Sequence, residues 1–431
     1  MEREAKDLSA LKNKQNCMTK ESRVYSYRWV VLIAYMIVAA ISQLLWLNFA
    51  TITTPQMENL LGVSKSDIGL LSAVWPLLFI PLSIPTGMLV DTKGFKLTVT
   101  IGALIMALFA VLRIFSGEDF TLLLIFQSCA ALGQPFVFNG LSKLASLWFP
   151  LKERALATGL GTMGLFLGMI VALTLTPFLV PEGATLELLT TMLIIYAVIS
   201  IVGALVFIVL AREKPAIPPE VSEAEVGATF SLRGMGKISI SKDFVILEVL
   251  FFIGVGLFTG LAQWIESILV PRGISSTDAG IIAGLMIIGG IIGSIAIPEI
   301  SDKIMRRKPF AIIDLGVAAF MLFYLAVGAD YTLLLMASFI LGFFLMSALP
   351  IGLEMSAELV GPVMAGSASS LLWLFSQIGS VALILGMESL SNETLYPENP
   401  FYLSVILILI LDLVAFALCF MLRETGRKPA K

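Results

Sequence analysis

Twelve long apolar runs, each ended by charge or proline, dictate most of what this chain can become. They cover roughly 28–54, 66–90, 97–116, 120–145, 153–179, 186–210, 243–269, 277–300, 309–328, 331–354, 363–389 and 400–422. Each has about the 20 residues a helix needs to cross a bilayer. A stretch such as ILILILDLVAFALCF is apolar on every side, whereas strands of a membrane barrel alternate over segments of about ten residues. Within hydrocarbon every backbone N–H and C=O must be satisfied internally, so the runs are predicted to be transmembrane helices. The composition agrees, at 58% hydrophobic and 14% charged residues.

The positive charges set the expected orientation. With both termini inside, only Lys65, Arg113 and Arg272 of the 28 Lys and Arg fall in outer loops, which is the bias cytosolic loops carry. Both termini are therefore predicted to be cytosolic in a multi-pass cell-membrane protein. The N-terminal segment is polar, with no short apolar core or small-residue cleavage site, and is expected to be retained. A polar stretch carrying Pro215, Pro218, Pro219, Glu220, Glu223 and Glu225 divides the runs six and six. The predicted organisation is a cytosolic segment 1–27, a six-helix half 28–210, a linker 211–242, a second half 243–422 and a tail 423–431.

The chain has no histidine, which removes Ser-His-Asp hydrolysis, His-based metal sites and His-ligated haem. Cys17, Cys129 and Cys419 match no metal or redox spacing. No nucleophile, base and oxyanion set can be assembled. The expectation is a non-enzyme without cofactor, metal ion or nucleic-acid partner, monomeric in the lipid bilayer and acting on a small molecule.

The two sets of six share a pattern. After the second run come Gly87, Asp91, Lys93, Gly94 and Lys96; after the eighth come Asp302, Lys303, Arg306, Arg307 and Lys308. Asn139-Gly140-Leu141 and Ile351-Gly352-Leu353 recur at an interval only one residue different. The predicted fold is all-α, with twelve transmembrane helices as two six-helix pseudo-repeats. Twelve spans in two halves with G-x-x-x-D-x-K-G-x-K after the second resemble the major facilitator superfamily over essentially the whole chain. The second copy is degenerate, with Met305 where the glycine would be. A carboxylate at Asp91 can face the positive N-terminal end of a neighbouring helix while Lys93 and Lys96 stay with cytosolic charge. Such a contact would latch the halves in one state and release in the other, with Asp302, Arg306 and Arg307 as the second set. The plainer alternative is that these charges only enforce topology.

A closer resemblance rests on three stretches: Leu45-Trp46-Leu47-Asn48-Phe49, Gly133-Gln134-Pro135-Phe136 with Ser142–Phe149, and Ser376-Gln377. They look like the feline leukaemia virus subgroup C receptor-related branch, linked to choline, ethanolamine and haem transport. That resemblance implies substrate contacts at Trp46, Gln134 and Gln377. The branch's aromatic on span seven does not carry over, because Thr259 occupies the matching position, with Trp264 and Glu266 nearby. The superfamily also implies that spans one, four, seven and ten line a cavity, which adds Asn48, Trp264 and Glu266 as candidates. Helix-to-helix hydrogen bonding is the alternative for each Gln. Trp373, one turn before Gln377, adds an aromatic wall.

Other polar groups are expected to be structural. Trp75-Pro76 marks a helix irregularity; Glu248, Asp314, Glu354 and Glu358 snorkel or meet helix dipoles near cytosolic ends; Asp412, near the middle of span twelve, pairs with a neighbouring polar helix. Glu266 either attracts a cation, binds a coupling proton or is a solvated acid at the outer mouth. Superfamily exporters often carry Arg and then Gln three residues later on span four, but here those positions read Leu124 and Gln127. With no Arg or Lys expected deep in the membrane, anionic substrates are disfavoured, and haem suffers from the missing His. The sequence points to an alternating-access carrier for a choline-like organic cation, facilitated or weakly coupled. Its rivals are a proton-coupled carrier of apolar drug-like or carboxylic compounds and a membrane receptor or sensor that does not transport.

Overall fold

The computed structural model describes residues 24–49, 58–63, 65–181, 183–217, 219, 240–274, 276–328, 330–391, 394–396 and 399–425. The N-terminal residues 1–23, most of the 211–242 stretch and the Glu266 side chain lie outside the described set. Among the described residues the fold is helical, with 12 helices long and apolar enough to cross a membrane.

These are α1 Tyr27–Leu47, α2 Lys65–Lys93, α3 Phe95–Leu112, α4 Phe120–Trp148, α5 Arg154–Leu179 and α6 Leu186–Leu210. Then come α7 Lys242–Leu269, α8 Ser276–Ile304, α9 Lys308–Val327, α10 Tyr331–Val360, α11 Ala365–Ser389 and α12 Tyr402–Cys419. Large apolar side chains point outward, with Phe178, Val209 and Phe115 exposed by 84%, 75% and 71%. Such exposure suits hydrocarbon as the surrounding solvent.

Helices α1–α6 pack on one another, chiefly α1 on α5 and α3 on α6, and α7–α12 do likewise through α8 on α10, α7 on α11 and α9 on α12. The two sets meet where α2 packs on α11 and α5 on α8. Small residues permit that approach: a methyl group at Gly87 would overlap the Ser370 side chain, and one at Gly159 the Ser294 backbone.

Helix α4 is built from three pieces, Phe120–Ala131, Gln134–Phe138 and Gly140–Trp148. Pro135 lacks an amide hydrogen and its ring crowds the carbonyl four residues back, which accounts for the first break. At the second, the Asn139 amide donates to the Ser83 carbonyl at 2.9 Å and to Thr86 Oγ1 at 2.7 Å, tying α4 to α2.

Helix α2 runs through Pro76, Pro81 and Pro85 without a break, and Trp75 is buried. Three expectations need correction. Arg113 is not in an outer loop. It begins the 3-10 turn Arg113–Ser116 at the end of α3 and is 0% exposed, because that turn directs the side chain back among the helices. Asp314 and Glu354 do not snorkel: both are buried, Asp314 beside the Ser347 hydroxyl and Glu354 with neither carboxylate oxygen hydrogen-bonded among the described residues. Asp412 does not pair with a polar neighbour and is in the same condition as Glu354. Helix packing on all sides of these short acids leaves them no route to water, unlike the long stems of Lys or Arg.

Candidate functional site

The middle piece of α4 touches α11, and there the rings of Phe138 and Trp373 lie 4.7 Å apart, tilted by 56°. Helix α4 runs toward Asp91, whereas α11 starts beside it. Gln134 therefore lies one turn beyond Phe138 and Gln377 one turn beyond Trp373, both on the side away from Asp91. The side chains are almost enclosed, with Gln134 at 2%, Gln377 at 9%, Phe138 at 4% and Trp373 at 4% exposure. Neither glutamine amide has a side-chain hydrogen bond among the described residues, and the Trp373 indole N–H is buried without a partner. Buried amides of this kind normally find partners. An aromatic floor with two free amides above it offers a cation face, two carbonyl acceptors and N–H donors.

Other sequence candidates are committed elsewhere. The Trp46 indole donates to the Ser72 carbonyl at 2.9 Å, anchoring the far end of α1 on α2. The Trp264 indole donates to the Ile384 carbonyl at 3.0 Å and its ring stacks 5.1 Å from Phe401. Asn48 is fully buried just past α1, with neither polar atom paired. Phe138 escaped notice because nothing in sequence distinguishes it among 28 phenylalanines.

Below this group the two helix sets are joined by carboxylates. Asp91 accepts from the Gly366 and Ser367 amides at 3.0 and 2.7 Å, in the first turn of α11, with the Lys143 ammonium at 3.4 Å. Lys143 also donates to the Val363 carbonyl at 3.3 Å. Asp302 accepts from the Leu156 amide at 2.8 Å in the first turn of α5 and pairs with Arg307 at 2.6 Å. Arg307 continues to Glu358 at 3.0 Å. Burial opposes the Arg307 charge, but Glu358 and Asp302 outweigh it and hold the guanidinium above its usual range. Lys93 and Arg306 are exposed.

Each loop turns three residues after its aspartate. Gly94 has φ 95° and Met305 has φ 56°, a region that glycine enters freely and other residues rarely. A further carboxylate caps the helix that follows. Glu213 accepts from the Phe95 and Lys96 amides at 3.0 and 2.8 Å, and Glu424 from the Arg307 and Lys308 amides at 2.6 and 3.4 Å. Glu213 follows Asp91 at the same interval as Glu424 follows Asp302, a signal that could have found both.

Arg113, buried at the end of α3, donates through Nη1 to Gln127 Oε1 at 2.6 Å. The guanidinium that exporters carry on span four here reaches the same glutamine from α3. It is not among the residues around Trp373.

A family model described as Major Facilitator Superfamily matches residues 31–384 and 273–431. The chain is 28% identical over 386 residues to the solute carrier family 49 member A3 of Xenopus tropicalis, covering 86% of this chain and 79% of that one. It is 26% identical over 383 residues to the choline/ethanolamine transporter FLVCR1 of Felis catus, covering 85% and 68%. Among solved structures it is similar to the transporter FucP in the outward conformation, with TM-score 0.73, 15% identity and 93% and 100% coverage. The human organic anion transporter MFSD10 gives TM-score 0.74 at 14% identity, covering 91% and 99%.

Proposed function

From the premise that this chain belongs to the major facilitator superfamily, we propose that it carries a choline-like organic cation across the membrane by alternating access. One observation carries the substrate class: the Phe138–Trp373 floor with unpaired Gln134 and Gln377 amides one turn above it. An aromatic face attracts a quaternary ammonium by about 0.5 to 2 kcal/mol, and an amide oxygen accepts from a hydroxyl or ammonium end. The names of relatives such as FLVCR1 support the same class.

Carriage proceeds as the first six helices rock against the last six around this group. The matched pairs Asp91 with Glu213 and Asp302 with Glu424 support a duplicated architecture. The excess of Lys and Arg at the Asp91 end supports cytosolic termini. In that orientation the described contacts close the cytosolic end, and breaking the Asp91 and Asp302 caps opens it.

The test is uptake of labelled choline and ethanolamine into proteoliposomes, with and without a pH gradient. Trp373→Leu is expected to raise the KM for choline about tenfold, equivalent to losing about 1.4 kcal/mol of cation attraction, and Gln377→Leu to raise it less. Saturable choline uptake with no pH dependence supports facilitated carriage. No uptake of either amine, together with proton-driven uptake of a carboxylic compound, overturns the cation assignment in favour of the coupled carrier.

A further inference from the structure

The Asp302 junction holds more negative than positive charge. Arg307 lies 2.6 Å from Asp302 and 3.0 Å from Glu358, and it also donates to the Ser301 hydroxyl at 3.0 Å. Glu354 stands one turn before Glu358 on the same face of α10. It is 1% exposed, with neither carboxylate oxygen hydrogen-bonded among the described residues. Glu354 lies within electrostatic reach of Glu358, Arg154, Arg307 and Asp302. Arg154, the first residue of α5, is buried too and donates through Nε to the Phe149 carbonyl at 3.1 Å. Three carboxylates and two guanidinium groups therefore meet where the two helix sets join.

The other elements packed on α10 hold their cations elsewhere. Lys143 on α4 is engaged by Asp91 and the Val363 carbonyl, Lys303 on α8 pairs with Glu299, and Lys308 of α9 donates to the Phe420 carbonyl. Helix α9 also carries Asp314, beside Ser347. On α7, Lys242 is exposed, Asp243 pairs with Arg423, and Glu248 is a further acid. Helix α11 carries only Glu388, at its far end. A carboxylate cut off from water keeps its charge only beside a cation and hydrogen bonds of its own. Arg307 is already shared by Asp302 and Glu358, and those two negative charges disfavour a third. Protonation removes the surplus charge, whereas opening the junction admits water and favours the ionised acid again.

We propose that Glu354 takes up a proton from water as α5 and α8 close on each other and releases it as they part, which makes the Asp302 junction a pH-sensitive lock. Acid then favours the closed junction. As pH rises above the usual carboxylate range, closing must capture a scarcer proton, and the junction opens more readily. The lock rests on the alternating-access reading and not on the identity of the substrate.

The test uses purified full-length protein in detergent, without its three native cysteines and with Ser294→Cys. Ser294 is 0% exposed on α8, with its backbone packed against Gly159 of α5, so the new thiol reports opening of this junction. Its maleimide labelling rate, divided by that of a free thiol at the same pH, is expected to rise between about pH 6 and 8 by up to about tenfold per pH unit, the limit for one linked proton. Glu354→Gln, which mimics the protonated acid, is expected to label slowly at every pH. At about pH 6 it should match the wild-type Tm, whereas Glu358→Gln should lower Tm by taking a charged partner from Arg307. Glu354→Met is the second neutral variant should Glu354→Gln not fold. A wild-type labelling rate independent of pH, a pH response that survives in the neutral variant, or failure of both variants to fold overturns the proposal. No substrate takes part, so a failed choline uptake assay leaves this result standing, and the reverse holds equally.

Discussion

Asp91 caps α11 with two backbone amides and keeps Lys143 at 3.4 Å, whereas Asp302 caps α5 with one amide and holds Arg307 at 2.6 Å. Both loops need a positive φ three residues later, met by Gly94 in one and by Met305 in the other. The first junction is made largely of glycine geometry and helix-end amides. In the second, the strained Met305 sits beside a buried chain of charges, Asp302, Arg307 and Glu358. One geometry is therefore reached by two chemistries that should fail differently: the Asp302 side when a charge is removed, the Asp91 side when the backbone is constrained.

The largest contrast should come from Arg307→Ala, which strands Asp302 and Glu358. It is expected to destabilise the protein by about 3 to 5 kcal/mol, read as a fall in the denaturation midpoint in detergent. Adding Asp302→Asn and Glu358→Gln should recover part of that loss. A loss no larger than that of Asp91→Asn would show that charge is not what holds the second junction.

Asp91→Asn keeps the shape but supplies only one strong acceptor to the α11 amides. A cost of about 1 to 2 kcal/mol is expected, seen as roughly tenfold faster maleimide labelling of Ser370→Cys in a protein without its three native cysteines. An unchanged labelling rate would mean that Asp91 does not hold this end shut.

The smallest effects isolate the backbone. Gly94→Ala is expected to cost about 1 to 2 kcal/mol because an added methyl group meets both the forbidden φ and the Glu213 carboxylate. Met305→Gly should stabilise by up to about 1 kcal/mol, relief of φ strain being offset by glycine's entropy. Equal and opposite unfolding shifts are not expected, and a destabilised Met305→Gly would show that the Met305 side chain itself supports the turn.

Asp91 was legible as a junction residue because its motif is local: the carboxylate, the turn glycine and the following helix lie within a few residues. Gln134, Trp373 and Gln377 were legible as polar or aromatic residues at membrane depth. Phe138 was not, since only its meeting with Trp373 marks it. Arg113 was misplaced because it adjoins Gly117, Glu118 and Asp119 in sequence, and a polar loop there predicts exposure. Only the 3-10 turn and the approach of Gln127 bring it inside.

The sequence by itself determined twelve membrane-crossing helices in an all-α chain, because a bilayer leaves each long apolar segment no other way to satisfy its backbone. It also marked the aspartates that join the two sets of helices. Tertiary structure decided which polar groups meet. The Phe138–Trp373 floor, the two free glutamines and the buried Arg113–Gln127 contact depend on breaks in α4 and on packing between helices remote in sequence, where no local periodicity records the partner.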